Sequence, residues 1–238
     1  MFATGDDFGH VKLFRYPCPV DSANYIKYSG HSEHLTKVRF HHQVNYLIST
    51  GGADKAIFQW KYTSDDIEDE PQPQDDDDDD EPVDDDGGFA FEMEEVDEGD
   101  QALAVKAWEG EVIPPTGFKE ARDAGDAPDQ NLSLQYAHGY RSFDTRNNLK
   151  YTSDPTKLVY TTAALGVVLD KEDNTQEFFM GQDDDVVCLD IHPDKEIIAT
   201  GQMARAERGK PKKPKEIDLH VWSSKTFQSL ANLSGFHR

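Results

Sequence analysis

The sequence predicts an all-β chain made of propeller-type blades, and three observations lead there. A short cassette occurs three times: a strand ending in Thr-Gly, a tight turn, then an alternating strand closed by an aromatic, at Thr4-Gly5 to Phe14, Thr50-Gly51 to Trp60 and Thr200-Gly201 to Trp222. In the first two copies glycine and aromatic are 9 residues apart, and the two glycines are 46 apart, about one four-stranded propeller repeat of roughly 40 to 45 residues. Turn residues punctuate the strands at Gly5-Asp6-Asp7, Tyr16-Pro17 and Gly51-Gly52, where glycine and proline set the backbone angles a turn needs.

Residues 1–62 read as strands and turns throughout. Val11 and Leu13 alternate with Lys12 and Phe14, Val38 and Phe40 flank Arg39, and Ile57 precedes the run from Phe58 to Trp60, a period-two pattern that suits half-buried strands. The second cassette extends back to Gly30-His31, followed by Leu35, Val38 and Phe40 at the spacing of a blade's first strand. The whole span from Gly30-His31 to Trp60 resembles a WD repeat. That resemblance implies a hydrogen-bonded chain of His31, Thr50, Asp54 and Trp60 tying the strands of one blade together, since a buried Asp needs such donors. A His-Asp-Thr set also invites a nucleophilic reading, but its repeat register and the lack of an oxyanion-type loop favour the structural one. The first copy departs from the pattern, with Phe14 in place of the Trp and Asp7 one residue early.

Residues 63–130 change character. Between 65 and 100 there are 21 Asp or Glu and no Lys or Arg, so without this stretch the formal charge of −23 becomes −2. The run includes Asp75 to Asp80, Glu81 and Asp84 to Asp86. Such a stretch repels itself and carries too little apolar surface to offset the entropy of ordering, so it is expected to be an acidic disordered linker. No EF-hand spacing is present.

Beyond the linker, residues 131–175 read as more sheet: strand-like runs at Leu158 to Tyr160 and Ala163 to Leu169, then the turn Lys171 to Asn174. Residues 176–238 hold the third cassette, degenerate in its own way. Gln182 takes the His position after Gly181, and Glu216 falls where the Asp would be. Gly201 and Trp222 are 21 residues apart, 12 more than in the other copies. The insertion is basic and turn-rich, with Arg205, Arg208, Lys210, Lys212, Lys213 and Lys215 interrupted by Pro211 and Pro214, which predicts an exposed loop between two strands. A basic loop on an acidic chain is a candidate contact for an acidic partner.

Several residues from 139 onward resemble the echinoderm microtubule-associated protein-like (EML) family. Gly139, Tyr140 and Arg141, then Arg146, Asn147, Asn148 and Leu149, with Val159-Tyr160 and Ala163-Ala164, match that family's HELP motif, and Gly181 to Gln202 resembles the WD repeat that follows it. Thr4 to Pro19 and the repeat through Trp60 look like the last blades of an EML tandem propeller, and Ala104 to Trp108 resembles a string from the linkers of long members. Thr145 stands where Cys is usual and Ser142 where Gly is usual, departures that bear on local packing. The resemblance implies incomplete WD-type blades from two successive propellers: 1–62 the closing blades of one, 63–130 the linker, 131–175 a HELP-like segment of sheet joining the propellers, and 176–238 the first repeat of the next. On that reading the chain is a fragment of a long multi-unit member.

The resemblance also implies function: binding of tubulin or microtubules in the cytoplasm and cytoskeleton, a cilium or flagellum included, with the basic loop from Arg205 to Lys215 as the candidate tubulin contact. The alternative is a general WD-repeat scaffold whose acidic tract recruits basic partners such as histones. An enzyme is the weakest reading, because no GxSxG, phosphate loop, metal cluster or Rossmann fingerprint occurs and His10, His41, His42 and His138 lack ligand spacing. No cofactor, metal, nucleic acid, membrane or small-molecule substrate is expected. Cys18 and Cys188 are expected to be reduced and buried.

Overall fold

The structure, a computed structural model, describes residues 1–16, 18, 23–42, 45–63, 125–203 and 217–236. The acidic run, the Ala104 to Trp108 string and the basic insertion from Arg205 to Lys215 lie outside them. Among the described residues there are 15 strands and no helix, in four antiparallel sheets that follow one another along the chain as four propeller-like blades.

Sheet A has three strands, β1 (Phe2–Gly5), β2 (Val11–Phe14) and β3 (Tyr25–Tyr28). Sheet B has four: β4 (Leu35–Phe40), β5 (Tyr46–Gly51), β6 (Ile57–Thr63) and β7 (Asn131–His138). Sheet C is β8 (Leu149–Tyr151), β9 (Lys157–Thr162), β10 (Leu165–Asp170) and β11 (Thr175–Phe179). Sheet D is β12 (Val186–Ile191), β13 (Ile197–Gln202), β14 (Ile217–Ser223) and β15 (Ser229–Phe236).

Sheet B joins chain from both sides of the linker: β6 pairs with β7 from Ile57↔His138 to Thr63↔Asn131, with one bulge between Gln59 and Trp60. The first eight residues of the segment 131–175 therefore complete the blade that precedes the linker, and the rest of that segment supplies most of sheet C. Sheet A is tied to the same strand, because the Leu132 amide donates to the Tyr28 hydroxyl at 2.9 Å. Burial pushes the pKa of that hydroxyl up to about 12.

Two cores result. Val11 and Leu13 of sheet A, Leu47, Phe58 and Trp60 of sheet B, and Leu165 and Val167 of sheet C share the first. Val159, Val168 and Phe179 of sheet C share the second with Leu189, Ile198 and Trp222 of sheet D. Successive residues of a strand point to opposite faces, so Val167 and Val168 serve different cores and β10 reads as a continuous apolar run. Gly166 lies between the sheets: a Cβ there would sit 2.7 Å from the Trp222 ring, and its absence lets that indole stack on Phe179, centroids 4.7 Å apart. The β9–β10 turn is held from outside. Ala163 has φ 48°, costly for an L-residue, while the Ala164 amide bonds Gly30 and the Ala163 carbonyl accepts from Val186.

Candidate functional site

Two polar clusters organise the blades. The first is inside sheet B. Trp60 Nε1 donates to Ser49 Oγ at 2.8 Å, Ser49 Oγ lies 2.9 Å from His31 Nε2, His31 Nδ1 lies 2.7 Å from Asp54 Oδ2, and Asp54 Oδ1 accepts the Ala56 amide at 3.1 Å. With the His31 proton on Nδ1, every donor in the chain points the same way and each polar atom is satisfied. The His31 and Asp54 side chains are fully buried, and His31 stacks on Phe58 with centroids 3.9 Å apart.

The hydroxyl in this network belongs to Ser49, not to Thr50 as the Thr-Gly cassette suggested. Neighbouring strand residues face opposite ways, and the pairing Ser49↔Phe58 puts Ser49 on the Trp60 face. Thr50 turns to the other face, where its hydroxyl is 2.9 Å from Thr36 Oγ1. Ser, His and Asp here lie at distances that would suit a nucleophile and its base. Ser49, however, is fully buried with its oxygen engaged by Trp60, so the set ties strands together.

The other blades keep less of it. In sheet A the fully buried residues are Val11 and Leu13, and Phe14, at the place expected for the Trp, points the opposite way to stack on Phe2 at 4.9 Å. Asp6, not Asp7, carries the turn there, accepting from the amides of Phe8 and His10. Sheet D retains one bond, Trp222 Nε1 to Thr200 Oγ1 at 3.1 Å. Gln182, at the His position, is buried with neither side-chain polar atom bonded among the described residues, and His220 Nδ1 is likewise buried without a partner among them. Burial holds the pKa of His220 below its ordinary 6.5, against the opposing pull of Asp218 and Asp183. Glu216 lies outside the described residues.

The second cluster is built by the HELP-like residues between β7 and β8. Arg141 is buried. Its Nε and Nη2 grip both oxygens of Asp144 at 2.8 and 2.6 Å, and its Nη1 pairs with Asp185, which enters sheet D. Ser32, next to His31, donates to the other Asp185 oxygen. The guanidinium thus joins the loop before sheet C to the chain entering sheet D, and Asp185 carries the link on to the loop before sheet B. Burial alone would lower its pKa, but the bonds to Asp144 and Asp185 outweigh that and raise it, while Arg141 in turn holds the Asp144 carboxyl below its ordinary value. The planar fork suits a bidentate carboxylate as a lysine would not.

Other motif residues brace this loop. Asn148 Nδ2 donates to the Arg141 carbonyl at 2.7 Å and to Thr145 Oγ1 at 2.8 Å, its Oδ1 accepts from the Tyr140 hydroxyl at 2.6 Å, and Thr145 Oγ1 donates to the Arg141 carbonyl at 2.6 Å. Thr145 is therefore a working member of the loop. Arg146 bonds the carbonyls of Ser142 and Thr145, Asn147 takes φ 60° and accepts from Lys150, and Leu149 opens β8 at an exposed position. Gly139 lies against Thr162 Oγ1, 2.5 Å from where a Cβ would be. Asp185 and Ser32, which complete the cluster, carry no motif signal of their own; only the fold brings them to Arg141.

Among the described residues no group of three His, Cys, Asp or Glu is arranged to hold a metal, and no helix is long and apolar enough to cross a membrane. Both cysteines are free, but Cys188 is exposed and Cys18 only partly covered, not buried as expected. Cys188 follows the bulge in β12 and points away from the core.

The fold and these clusters are those of WD-type β-propeller blades, with the HELP-like residues where sheets B, C and D meet. The HELP motif family matches residues 127–167, and the WD domain, G-beta repeat family matches residues 23–61. Relatives point the same way. The chain is 41% identical to human echinoderm microtubule-associated protein-like 4 over 44% of this chain and 10% of that protein, and 37% identical to human echinoderm microtubule-associated protein-like 2 over 50% and 17%. It is also 37% identical to the ciliary WD repeat-containing protein ctxp80 of Euplotoides octocarinatus, over 47% of this chain and 18% of that protein. These likenesses support an EML-like family. The chain spans less than a fifth of the length of these relatives.

Proposed function

We propose that the chain is a non-catalytic, microtubule- or tubulin-binding part of an EML-like protein, working through the surfaces of its WD blades in the cytoplasm and cytoskeleton, cilia or flagella included. One observation carries most of this reading. The HELP residues are not an isolated string: Arg141 and Asn148 build a cluster that locks sheets B, C and D together, as a part of a larger propeller surface would require. Two of the relatives, the human echinoderm microtubule-associated protein-like 4 and 2, carry a microtubule association in their names. We keep the division into 1–62, 63–130, 131–175 and 176–238 as part of the proposal, refined by β7. Two successive propellers meet at the linker, and HELP residues supply the closing strand of the blade before it.

The basic insertion is the proposed tubulin contact. Reversing Lys210, Lys212, Lys213 and Lys215 to Glu should weaken co-sedimentation with microtubules, most visibly at low salt, where unscreened charge contributes most. Unchanged binding would remove the insertion from the interface. The acidic tract favours the second reading, a scaffold for basic partners such as histones. A pull-down offering tubulin and histones to the chain with and without residues 65–100 separates the two: tubulin retention independent of the tract supports the first, histone retention that needs it supports the second.

A further inference from the structure

The face of sheet B opposite the His31 network is built differently from every buried face of the molecule. Read across the strand register, Lys37, Thr50 and Ile57 form one row, Arg39, Ile48 and Gln59 the next, and Tyr46 and Lys61 a third. Lys37, Arg39, Ile57 and Lys61 are exposed, and a shallow cleft between Lys37, Arg39, Phe40, His41, Ile48 and Thr50 runs along them. Lys37, Arg39 and Lys61 have no ion-pair partner among the described residues. A further blade would be a poor cover, because it would strip water from three unpaired cations, at a cost that only close counter-charges repay. An acidic polypeptide fits, with carboxylates for the cations and an aliphatic floor in Ile48 and Ile57.

We propose that the occupant is this chain's own acidic run, Asp75 to Asp86, bound to the face within the same molecule. The run has ten carboxylates and no cation. The last described residue before it is Thr63, on β6 itself, two residues after Lys61. The twelve residues from Thr63 to Asp75 span at most about 40 Å when extended, so the carboxylates stay within reach of the face at an effective concentration of order millimolar. Single exposed ion pairs contribute only about 0.2–1 kcal/mol, so the attachment is multivalent, salt-sensitive and displaceable by a competing acidic surface. This inference does not rest on the microtubule proposal and stands or falls separately from it.

Carbodiimide cross-linking of the full chain tests it, since the reagent joins lysine amines only to carboxylates in contact with them. Peptide mapping of the monomer fraction should show Lys37 and Lys61 joined to Asp75–Asp86. Those links should disappear at about 1 M salt, where the Debye length shrinks to about 3 Å, and in a variant with Asp75 to Asp80 and Asp84 to Asp86 replaced by Asn and Glu81 by Gln, changes that touch none of the described strands. The proposal is overturned if the run joins instead to Lys210, Lys212, Lys213 or Lys215, if Lys37 and Lys61 are joined only between two chains, or if they are not joined at all.

Discussion

The central residue-level result is that a single hydroxyl, Ser49, closes the hydrogen-bonded chain from Trp60 to Asp54. Replacing it with Ala leaves the Trp60 indole and His31 Nε2 buried without partners, and each such orphan costs about 1–3 kcal/mol. We therefore expect Ser49→Ala to lower the free energy of unfolding by about 3 kcal/mol, whereas Thr50→Ala, one residue along on the outer face, should change it by less than about 1 kcal/mol. Urea denaturation of the two variants decides between the assignments, and equal losses would return Thr50 to the network. The sequence showed the residue types and spacing of this chain but left its hydroxyl ambiguous, because Ser49 and Thr50 are adjacent and both can serve. Only the β5–β6 register, which pairs Ser49 with Phe58, picks one. The same alternation decides sheet A, where Leu13 faces the core and Phe14 does not.

At the scale of the element, the blades differ in how much they rely on polar chains. Sheet B has the full network, sheet A none of it, and sheet D one bond plus two buried side chains with unpaired atoms. His220 of sheet D pairs across to Thr200, as Phe58 pairs to Ser49 in sheet B, so an imidazole occupies the place of a benzene ring. Its pKa is depressed in the folded blade, so its contribution to stability is fully present above pH 6.5 and is lost as pH falls from there toward the folded pKa, where the unfolded chain binds the proton first. His220→Phe should therefore flatten the loss of stability between pH 7.5 and 5.5 and raise stability at the acid end, read as urea midpoints at the two values. A slope identical to that of the unchanged chain would show that His220 is not the group responsible. Element type was legible in the sequence from alternation and turn residues. Partnership across the linker was not, because β7 starts 68 residues after the end of β6 and periodicity carries no information about which strand lies beside it.

For the whole molecule, Arg141 is the residue whose loss should be felt farthest away, since it holds the HELP loop, Asp144, and Asp185 at the entry to sheet D. Its motif was readable in the sequence, but its partner Asp185, and Ser32 which bonds Asp185 in turn, come from other blades, and only folding brings them together. Arg141→Lys keeps the charge but loses the fork, so it should destabilise by about 1–3 kcal/mol, and Arg141→Ala by more, about 3–5 kcal/mol, as it strands a largely buried Asp185. Faster hydrogen exchange of the Val186 amide, which bonds Ala163 across sheets C and D, would mark the loosening as one between blades. Unchanged exchange there would confine Arg141 to its own loop. A locked set of blades gives a fixed surface for a filament to bind. Co-sedimentation of the intact chain with polymerised tubulin tests this binding: we expect saturable recovery in the microtubule pellet that declines as salt is raised, and a folded chain left in the supernatant at every tubulin concentration would rule it out.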